Sequence, residues 1–304
     1  MNDQNNKRCG FVAVLGLPNA GKSTLVNALV GSKVSIVSKR VQTTRCRVLG
    51  IALHEKSQVI LIDTPGIFAP EKTLEKVMVK AAWDALEQAD VIIHIVDTGI
   101  KDAVHKNQEI IRGLPEKATV LLVLNKTDKV AKPDLLALSQ ALNATYPYAA
   151  TFMISALKNE GTADILRDLS GRVAPGPWIF EEDQITDMPM RLLAAEITRE
   201  KIFEMLYQEL PYAVLVETEK WENFNDGSVK IDQAIYVQRD SQKAIVLGKG
   251  GSQIKTIGAA SRLELEQIMG TRVHLKLFVK VQENWAERAE NYALMGLDFS
   301  SGSA

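Results

Sequence analysis

The stretch Gly16-Leu17-Pro18-Asn19-Ala20-Gly21-Lys22-Ser23 decides how the first half of the chain is read. Before it stands Phe11-Val12-Ala13-Val14-Leu15, an apolar run with the character of a buried parallel strand. After it, Thr24-Leu25-Val26-Asn27-Ala28-Leu29-Val30 spaces its apolar residues at helical intervals. In such a strand, loop and helix, glycines at positions 16 and 21 let the backbone bend tightly and turn its amides toward a polyphosphate. The helix starting near Lys22 adds the positive end of its dipole. Asn19, Ala20, Gly21, Lys22, Ser23 and Thr24 then line the phosphates. Lys22 reaches the β- and γ-phosphates, and the Ser23 hydroxyl completes a magnesium shell that keeps some waters. Gly-Lys-Ser turns also arise by chance, but chance does not supply the strand and helix around them.

Residues 31–41 carry no sustained apolar period and run through Lys33, Ser38, Lys39 and Arg40 into Gln42-Thr43-Thr44-Arg45, the pattern of a mobile loop. In nucleotide-dependent switches such a loop gives a hydroxyl to magnesium only while the γ-phosphate is present. Thr44 is the first choice for that hydroxyl and Thr43 the second; the plain alternative is that both open a strand at 46–53. Gln58-Val59-Ile60-Leu61-Ile62 pairs with that strand as a hairpin and ends in Asp63-Thr64-Pro65-Gly66. An acid at the carboxyl end of a strand beside a phosphate loop holds the metal's waters, and the Gly66 amide faces the γ-phosphate. The metal set is therefore Ser23, Thr44 and Asp63, and the catalytic set Lys22, Thr44 and Gly66.

Residues 74–89 and 104–114 have helical spacing, and a buried strand at 91–96 ends at Asp97. His94, within that strand, reads as a core histidine, and His54 and His105 have no better case for chemistry. The strand at 119–124 runs into Asn125-Lys126-Thr127-Asp128. An aspartate accepts parallel hydrogen bonds from guanine N1 and the exocyclic amine, which adenine lacks, so Asp128 selects guanine while Lys126 covers the base. A strand at 151–154 ends in Ser155-Ala156-Leu157-Lys158, where the Ala156 amide is placed to donate to guanine O6. A phosphate-loop ATPase would leave Asn125, Lys126 and Asp128 without a purpose.

In this order and spacing, these motifs resemble a Ras-like GTPase domain, which implies an α/β fold with a mostly parallel sheet. The resemblance implies in-line attack of water on the γ-phosphate of GTP as the expected reaction, helped by positioning and charge neutralisation. Ile67 stands where Ras-like enzymes place a water-orienting glutamine, so intrinsic turnover is expected to be slow. Asn19 resembles the loop asparagine of related GTPases that hold a potassium ion near the phosphates; the other reading is a turn-former that tolerates left-handed backbone.

The chain has 304 residues, 46 % apolar and 24 % charged, enough for two ordinary globular domains. Cys9 and Cys46 are isolated, which favours a reducing compartment, and no apolar run approaches the roughly 18 residues of a membrane span. The expected address is cytoplasmic. A formal net charge of -1 gives no global sign of nucleic acid, so any such claim needs a local patch.

That patch lies in the second half. Residues 171–189, with Pro175, Gly176, Pro177 and Pro189, suit a connection, giving domains at 1–172 and 190–304 with a linker at 173–189 and a hinge at 185–191. Residues 190–210 follow helical spacing up to Pro211, 212–216 and 231–237 read as strands around a turn at 223–227, and 273–281 as a last strand. Ala244-Ile245-Val246-Leu247 leads into Gly248-Lys249-Gly250-Gly251-Ser252, followed by a helix with a break near Gly258. The order of helix, strand, strand, helix, helix, strand around a Gly-x-Gly-Gly turn resembles an α+β type II KH domain, which carries about four nucleotides of single-stranded RNA. Between 241 and 263, Lys243, Lys249, Lys255 and Arg262 stand with no acid among them. The candidate RNA set is these four with Gly248, Gly250 and Gly251.

A GTPase domain followed directly by a KH domain is the architecture of the Era family of bacterial GTPases, which the chain resembles over nearly its whole length. Gln42-Thr43-Thr44-Arg45, Ile185-Thr186-Asp187, Glu196-Ile197-Thr198-Arg199-Glu200-Lys201, Glu209-Leu210-Pro211-Tyr212 and Ile254-Lys255-Thr256-Ile257-Gly258 fit its pattern. Met295-Gly296-Leu297 departs from it, and the tail at 300–304 reads as disordered. The resemblance implies GTP and GDP as substrate and product, Mg2+, and K+ at Asn19. It implies binding to the 3′ region of small-subunit ribosomal RNA, and a monomer that assists maturation of the small ribosomal subunit, with peripheral contact at the inner face of the cell membrane. The competing functions are a GTPase whose second domain binds a protein or membrane, and an RNA-binding module whose nucleotide half is only a scaffold.

Overall fold

A computed structural model describes residues 6–38, 40, 43–206, 210–295 and 297. Gln42, Glu209, Gly296 and the tail, on which some of the expectations fall, lie outside the described residues. Contacts divide the chain into two units. The first takes Met1–Ser35, Thr44–Glu71 and Met78–Asp187, and the second Ile36–Thr43, Lys72–Val77 and Met188–Ala304.

The first half runs β1 (Arg8–Leu15), α1 (Lys22–Val30), β2 (Val48–His54), β3 (Ser57–Asp63), α2 (Thr73–Asp84), β4 (Val91–Asp97), α3 (Ala103–Lys106), α4 (Gln108–Gly113), β5 (Thr119–Asn125), α5 (Lys132–Asn143), β6 (Ala150–Ile154) and α6 (Thr162–Arg172). Its sheet has the order β2-β3-β1-β4-β5-β6, parallel except for the β2–β3 hairpin. Every position of β3 is buried. Helices cover a parallel sheet on both faces, so its strands read as unbroken apolar runs rather than alternating ones. Register then aligns the carboxyl ends: Val14 opposite Asp63, and Asp97 opposite Asn125. The loops that follow the strands therefore gather at one edge of the sheet.

His94 is buried in β4, with Nδ1 2.8 Å from the Tyr148 hydroxyl and Nε2 3.0 Å from Asn107 Oδ1. Burial lowers its pKa to about 4, so it is a neutral core residue. The helix expected at 104–114 is split into α3 and α4 at Asn107, whose Nδ2 donates to the Ala103 carbonyl at 2.8 Å while Oδ1 serves His94. α2 tightens into a 3-10 turn at Ala85–Gln88. The sequence reading assigned no helix at α5 or α6, which seat Leu135, Leu142, Ile165 and Leu169 in the core.

The segment read as a linker is a strap bound to the first unit. Gln58, fully buried, accepts the Ile179 and Phe180 amides at 2.9 and 3.0 Å and donates to the Phe180 carbonyl at 2.9 Å. The Ile51 amide donates to the Ile185 carbonyl at 2.9 Å, and the Leu49 amide to Asp187 Oδ1 at 3.2 Å. Residues 185–187 are thus held in place by β2. They are not a free hinge.

The second unit runs α7 (Met190–Met205), β7 (Leu215–Asn223), β8 (Val229–Val237), α8 (Asp240–Leu247), α9 (Ser252–Met269), β9 (Val273–Val281) and α10 (Ala289–Leu294). The sheet order is β7-β8-β9, antiparallel and then parallel. Ile202, Val216, Ile235, Val237, Val246, Ile257 and Val279 form its core. α7 ends at Met205, before Pro211, and the first strand begins at Leu215 rather than at 212. α9 is unbroken at Gly258, where an added Cβ would meet Leu277 Cδ1 at 3.4 Å. That glycine sits against β9 at a place where an alanine would also fit, and it does not break the helix. Part of the loop expected to be mobile belongs to this unit: the Val37 amide donates to Glu200 Oε1 at 2.7 Å, and Arg199 Nη2 to the Thr43 carbonyl at 2.6 Å.

Candidate nucleotide and nucleic-acid sites

At the end of β1 the loop closes on itself through positions where a side chain cannot fit. A Cβ on Gly16 would lie 2.5 Å from the Ile95 carbonyl oxygen, and one on Gly21, whose φ is +102°, 2.2 Å from Asn125 Nδ2. Asn19 also takes a left-handed conformation, φ 61°. Lys22 is 6 % exposed, and its Nζ donates to the Gly16 and Leu17 carbonyls at 3.1 and 3.0 Å. Burial lowers the Lys22 pKa to about 8, against the opposing pull of Asp63. A cation held at this cost fits a site meant for an anion.

Three oxygens gather beside it. Ser23 Oγ donates to Asp63 Oδ2 at 2.7 Å and lies 2.8 Å from Thr44 Oγ1. Thr43 turns its hydroxyl to the Arg40 carbonyl at 2.9 Å, so Thr44 faces the phosphate loop. Burial raises the Asp63 pKa; the Ser23 hydroxyl and Lys22 work the other way. Among the described residues Asp63 Oδ1 is buried with no hydrogen-bond partner. Hard oxygen donors around an orphaned carboxylate oxygen fit Mg2+. Gly66 packs on Pro18, 2.8 Å from a Cβ built there, and the Ile67 amide donates to the Gly16 carbonyl at 3.2 Å. The Ile67 side chain is 1 % exposed, packed with Leu15, Ala82 and Ile92. No side chain from that position can orient a water.

The ends of β5 and β6 form the base side. Asn125 Nδ2 donates to the Ala20 carbonyl at 2.8 Å, and Lys126, left-handed at φ 66°, reaches the Asn19 carbonyl at 2.6 Å. Ser155 Oγ donates to Asp128 Oδ1 at 2.8 Å, which lowers the carboxyl pKa and keeps it an acceptor. The Ala156 amide differs from its expected role: it donates to Asn125 Oδ1 at 3.0 Å, tying β6 to β5. Leu157, beside it, is 81 % exposed. Sequence reasoning passed over Asp97 and Thr98. Their only signal was a place at the end of β4, where Asp97 meets Lys126 at 2.6 Å and the Thr98 hydroxyl holds the Asn125 carbonyl at 2.9 Å.

In the second unit, Gly248, Gly250 and Gly251 all have positive φ, 70°, 60° and 76°. A Cβ on Gly248 would strike Gln253, but Gly250 and Gly251 face open space. Gly251 caps α9, an 18-residue helix, so backbone amides and a helix dipole point out of an exposed turn. Lys249 and Lys255 are exposed and Lys243 is half-buried. Arg262 Nη1 donates to both Glu266 carboxylate oxygens at 3.1 and 3.2 Å, so its charge is already partly answered.

Fold and sites together define a guanine-type phosphate-loop domain followed by a KH domain. A family model described as a 50S ribosome-binding GTPase matches residues 11–126, and one described as a KH domain matches residues 209–286. The GTPase Era of Bradyrhizobium diazoefficiens is 52 % identical over 296 residues, covering 96 % of this chain and 95 % of its own. That of Sinorhizobium medicae is 54 % identical, with 96 % and 94 % covered. A crystal structure of Era with MgGDPNP and nucleotides 1506–1542 of 16S ribosomal RNA superposes with a TM-score of 0.88 at 38 % identity, over 95 % of this chain and 99 % of that one. An Era variant of Aquifex aeolicus bound to GDP and aluminium fluoride gives the same TM-score and identity. The chain belongs to the Era family of GTPases.

Proposed function

We propose that this protein is a GTP-hydrolysing switch that binds small-subunit ribosomal RNA and assists maturation of that subunit. The buried cluster of Lys22, Ser23, Thr44 and Asp63 beside a closed phosphate loop carries the nucleotide half of this reading. Ser23 and Thr44 would ligate Mg2+ directly and Asp63 would hold its waters; the ion supplies charge neutralisation at the phosphates. Lys22 and the loop amides bind the phosphates, the Gly66 amide faces the γ-phosphate, and Asp128 selects guanine. With Ile67 buried, turnover without a partner is slow. Asn19 is the candidate for a potassium ion; its left-handed backbone already accounts for an asparagine there, and equal turnover in potassium and sodium buffers would remove the ion.

For the second half, the open turn at Gly250 and Gly251 supports RNA rather than a protein or membrane ligand. The matching family model is described by the 50S subunit and the solved Era complex holds 16S ribosomal RNA; the likeness over nearly the full length is to the latter and favours the small subunit. Among the described residues no helix is long and apolar enough to cross a membrane, and a cytoplasmic address fits this role. Two measurements test the reading. GTP is expected to bind at least about a hundredfold tighter than ATP. Gly250→Asp is expected to abolish crosslinking to RNA in cells while GTP binding stays intact; retained crosslinking would move the RNA site elsewhere.

A further inference from the structure

We propose that Asp97 is a positioning residue for guanine recognition: it holds Lys126 in place at the base site and thereby sets how long a guanine nucleotide stays bound. The inference rests on the GTPase reading above and extends it to a residue outside the recognised motifs.

β4 and β5 run parallel with Asp97 opposite Asn125. Lys126, the next residue, leaves the strand in a left-handed conformation, and its Nζ spans two anchors, the Asn19 carbonyl and Asp97 Oδ2, each at 2.6 Å. The side chains are 26 % and 13 % exposed, so the pair is partly withdrawn from water. Asp97 is itself fixed, since Oδ1 accepts the Gly99 amide at 2.9 Å. Thr98 adds its amide, at 3.0 Å, and its hydroxyl, at 2.9 Å, to the Asn125 carbonyl. The end of β4 therefore clamps the residues on the base side from behind.

A lysine loose in water spreads over many rotamers and must be ordered at the moment of binding. Here the ordering precedes binding, and the ammonium is neutralised at its tip, so Lys126 offers its alkyl stem to a ring rather than a mobile charge. Asp97 touches no nucleotide atom in this scheme. Its effect passes through Lys126, and it should act alike on GDP and GTP, which share the base.

The test is a double-mutant cycle on the full chain: Asp97→Ala, Lys126→Met and both together, with release of fluorescent GDP and of a fluorescent non-hydrolysable GTP analogue followed by stopped flow. Asp97→Ala is expected to speed release of both by the same factor, about three- to tenfold. The preference for GTP over ATP, assigned to Asp128, should persist. Asp97→Asn, which keeps an acceptor for Gly99, should fall between. In the Lys126→Met background, Asp97→Ala should add less than about twofold. An effect that persists undiminished in that background, or release from Asp97→Ala at the wild-type rate, overturns the proposal. If Asp97→Ala does not fold, Asp97→Asn replaces it in the same cycle with the same criteria. If Lys126→Met and Asp128→Asn both bind guanine nucleotides like the wild type, the base site itself is wrong and the GTPase reading falls with it.

Discussion

The turn at Gly16–Ser23 and the turn at Gly248–Ser252 use the same backbone device. Each ends in a left-handed glycine at the head of a helix, Gly21 at φ +102° and Gly251 at φ +76°, and each carries a lysine. They differ in what surrounds them. Gly21 is pressed against Asn125 and Lys22 is buried, whereas Gly250, Gly251 and Lys249 face solvent. Enclosure suits a small polyphosphate that must be held from all sides, with metal and base contacts converging on it. Openness suits a polymer whose chain has to pass through. Glycine pattern alone marks a phosphate partner; burial decides which kind.

Substituting the two capping glycines gives the largest contrast. Gly21→Ala forces a Cβ to within 2.2 Å of Asn125 Nδ2 and breaks that side chain's bond to the Ala20 carbonyl. GTP affinity is expected to fall at least about a hundredfold, measured by calorimetry. Gly251→Ala meets no atom and costs only left-handed strain of about 1 kcal/mol, carried by the free and RNA-bound protein alike, so RNA affinity should fall less than about fivefold. If the two losses were equal, enclosure would not be what separates the turns.

The buried lysine gives the next effect, in pH. Its folded pKa of about 8 lies below the ordinary lysine value near 10.5, so between these limits the unfolded chain holds a proton that the folded protein has lost. The state that binds more protons gains as pH falls, so stability of the nucleotide-free protein should rise with pH across this window, by up to about 3 kcal/mol. Thermal melts between pH 7.5 and 9.5 should show that rise. Lys22→Met should flatten it, as should saturating GDP with Mg2+, because bound phosphates restore the charged form. A slope that survives Lys22→Met belongs to another group.

The same contrast explains what was legible in the sequence. Gly16–Ser23, Asp63 and Asn125–Asp128 stood out because each sits where a buried apolar run stops, and strand ends in a parallel sheet are the places that can hold a ligand. The KH order was equally local, helix by helix and strand by strand. Partnerships across long stretches of sequence were not legible. Gln58 binds the strap at 179–180 more than a hundred residues away, and no periodicity announces it. The Ala156 amide turns to Asn125, and Asp97 to Lys126, for reasons set by strand register. Arg262 was grouped with the lysines by counting charges, which cannot see the acid one helical turn on.

That grouping yields the smallest effect. Lys249 and Lys255 project from the exposed turn and the first part of α9, so each alanine substitution should weaken RNA binding about threefold and reduce the salt dependence of affinity by about one counterion. Arg262 already has its charge answered by Glu266, whose carboxylate also accepts the Val273 amide at 3.1 Å and is therefore fixed at the start of β9. A phosphate at Arg262 meets a charge already partly neutralised and gains less there than at Lys249 or Lys255. Arg262→Ala should therefore change RNA affinity less than about twofold and leave the salt slope where it was. A slope reduced as much as in Lys249→Ala would show that RNA does pull Arg262 off Glu266, and would extend the basic track two turns further along α9.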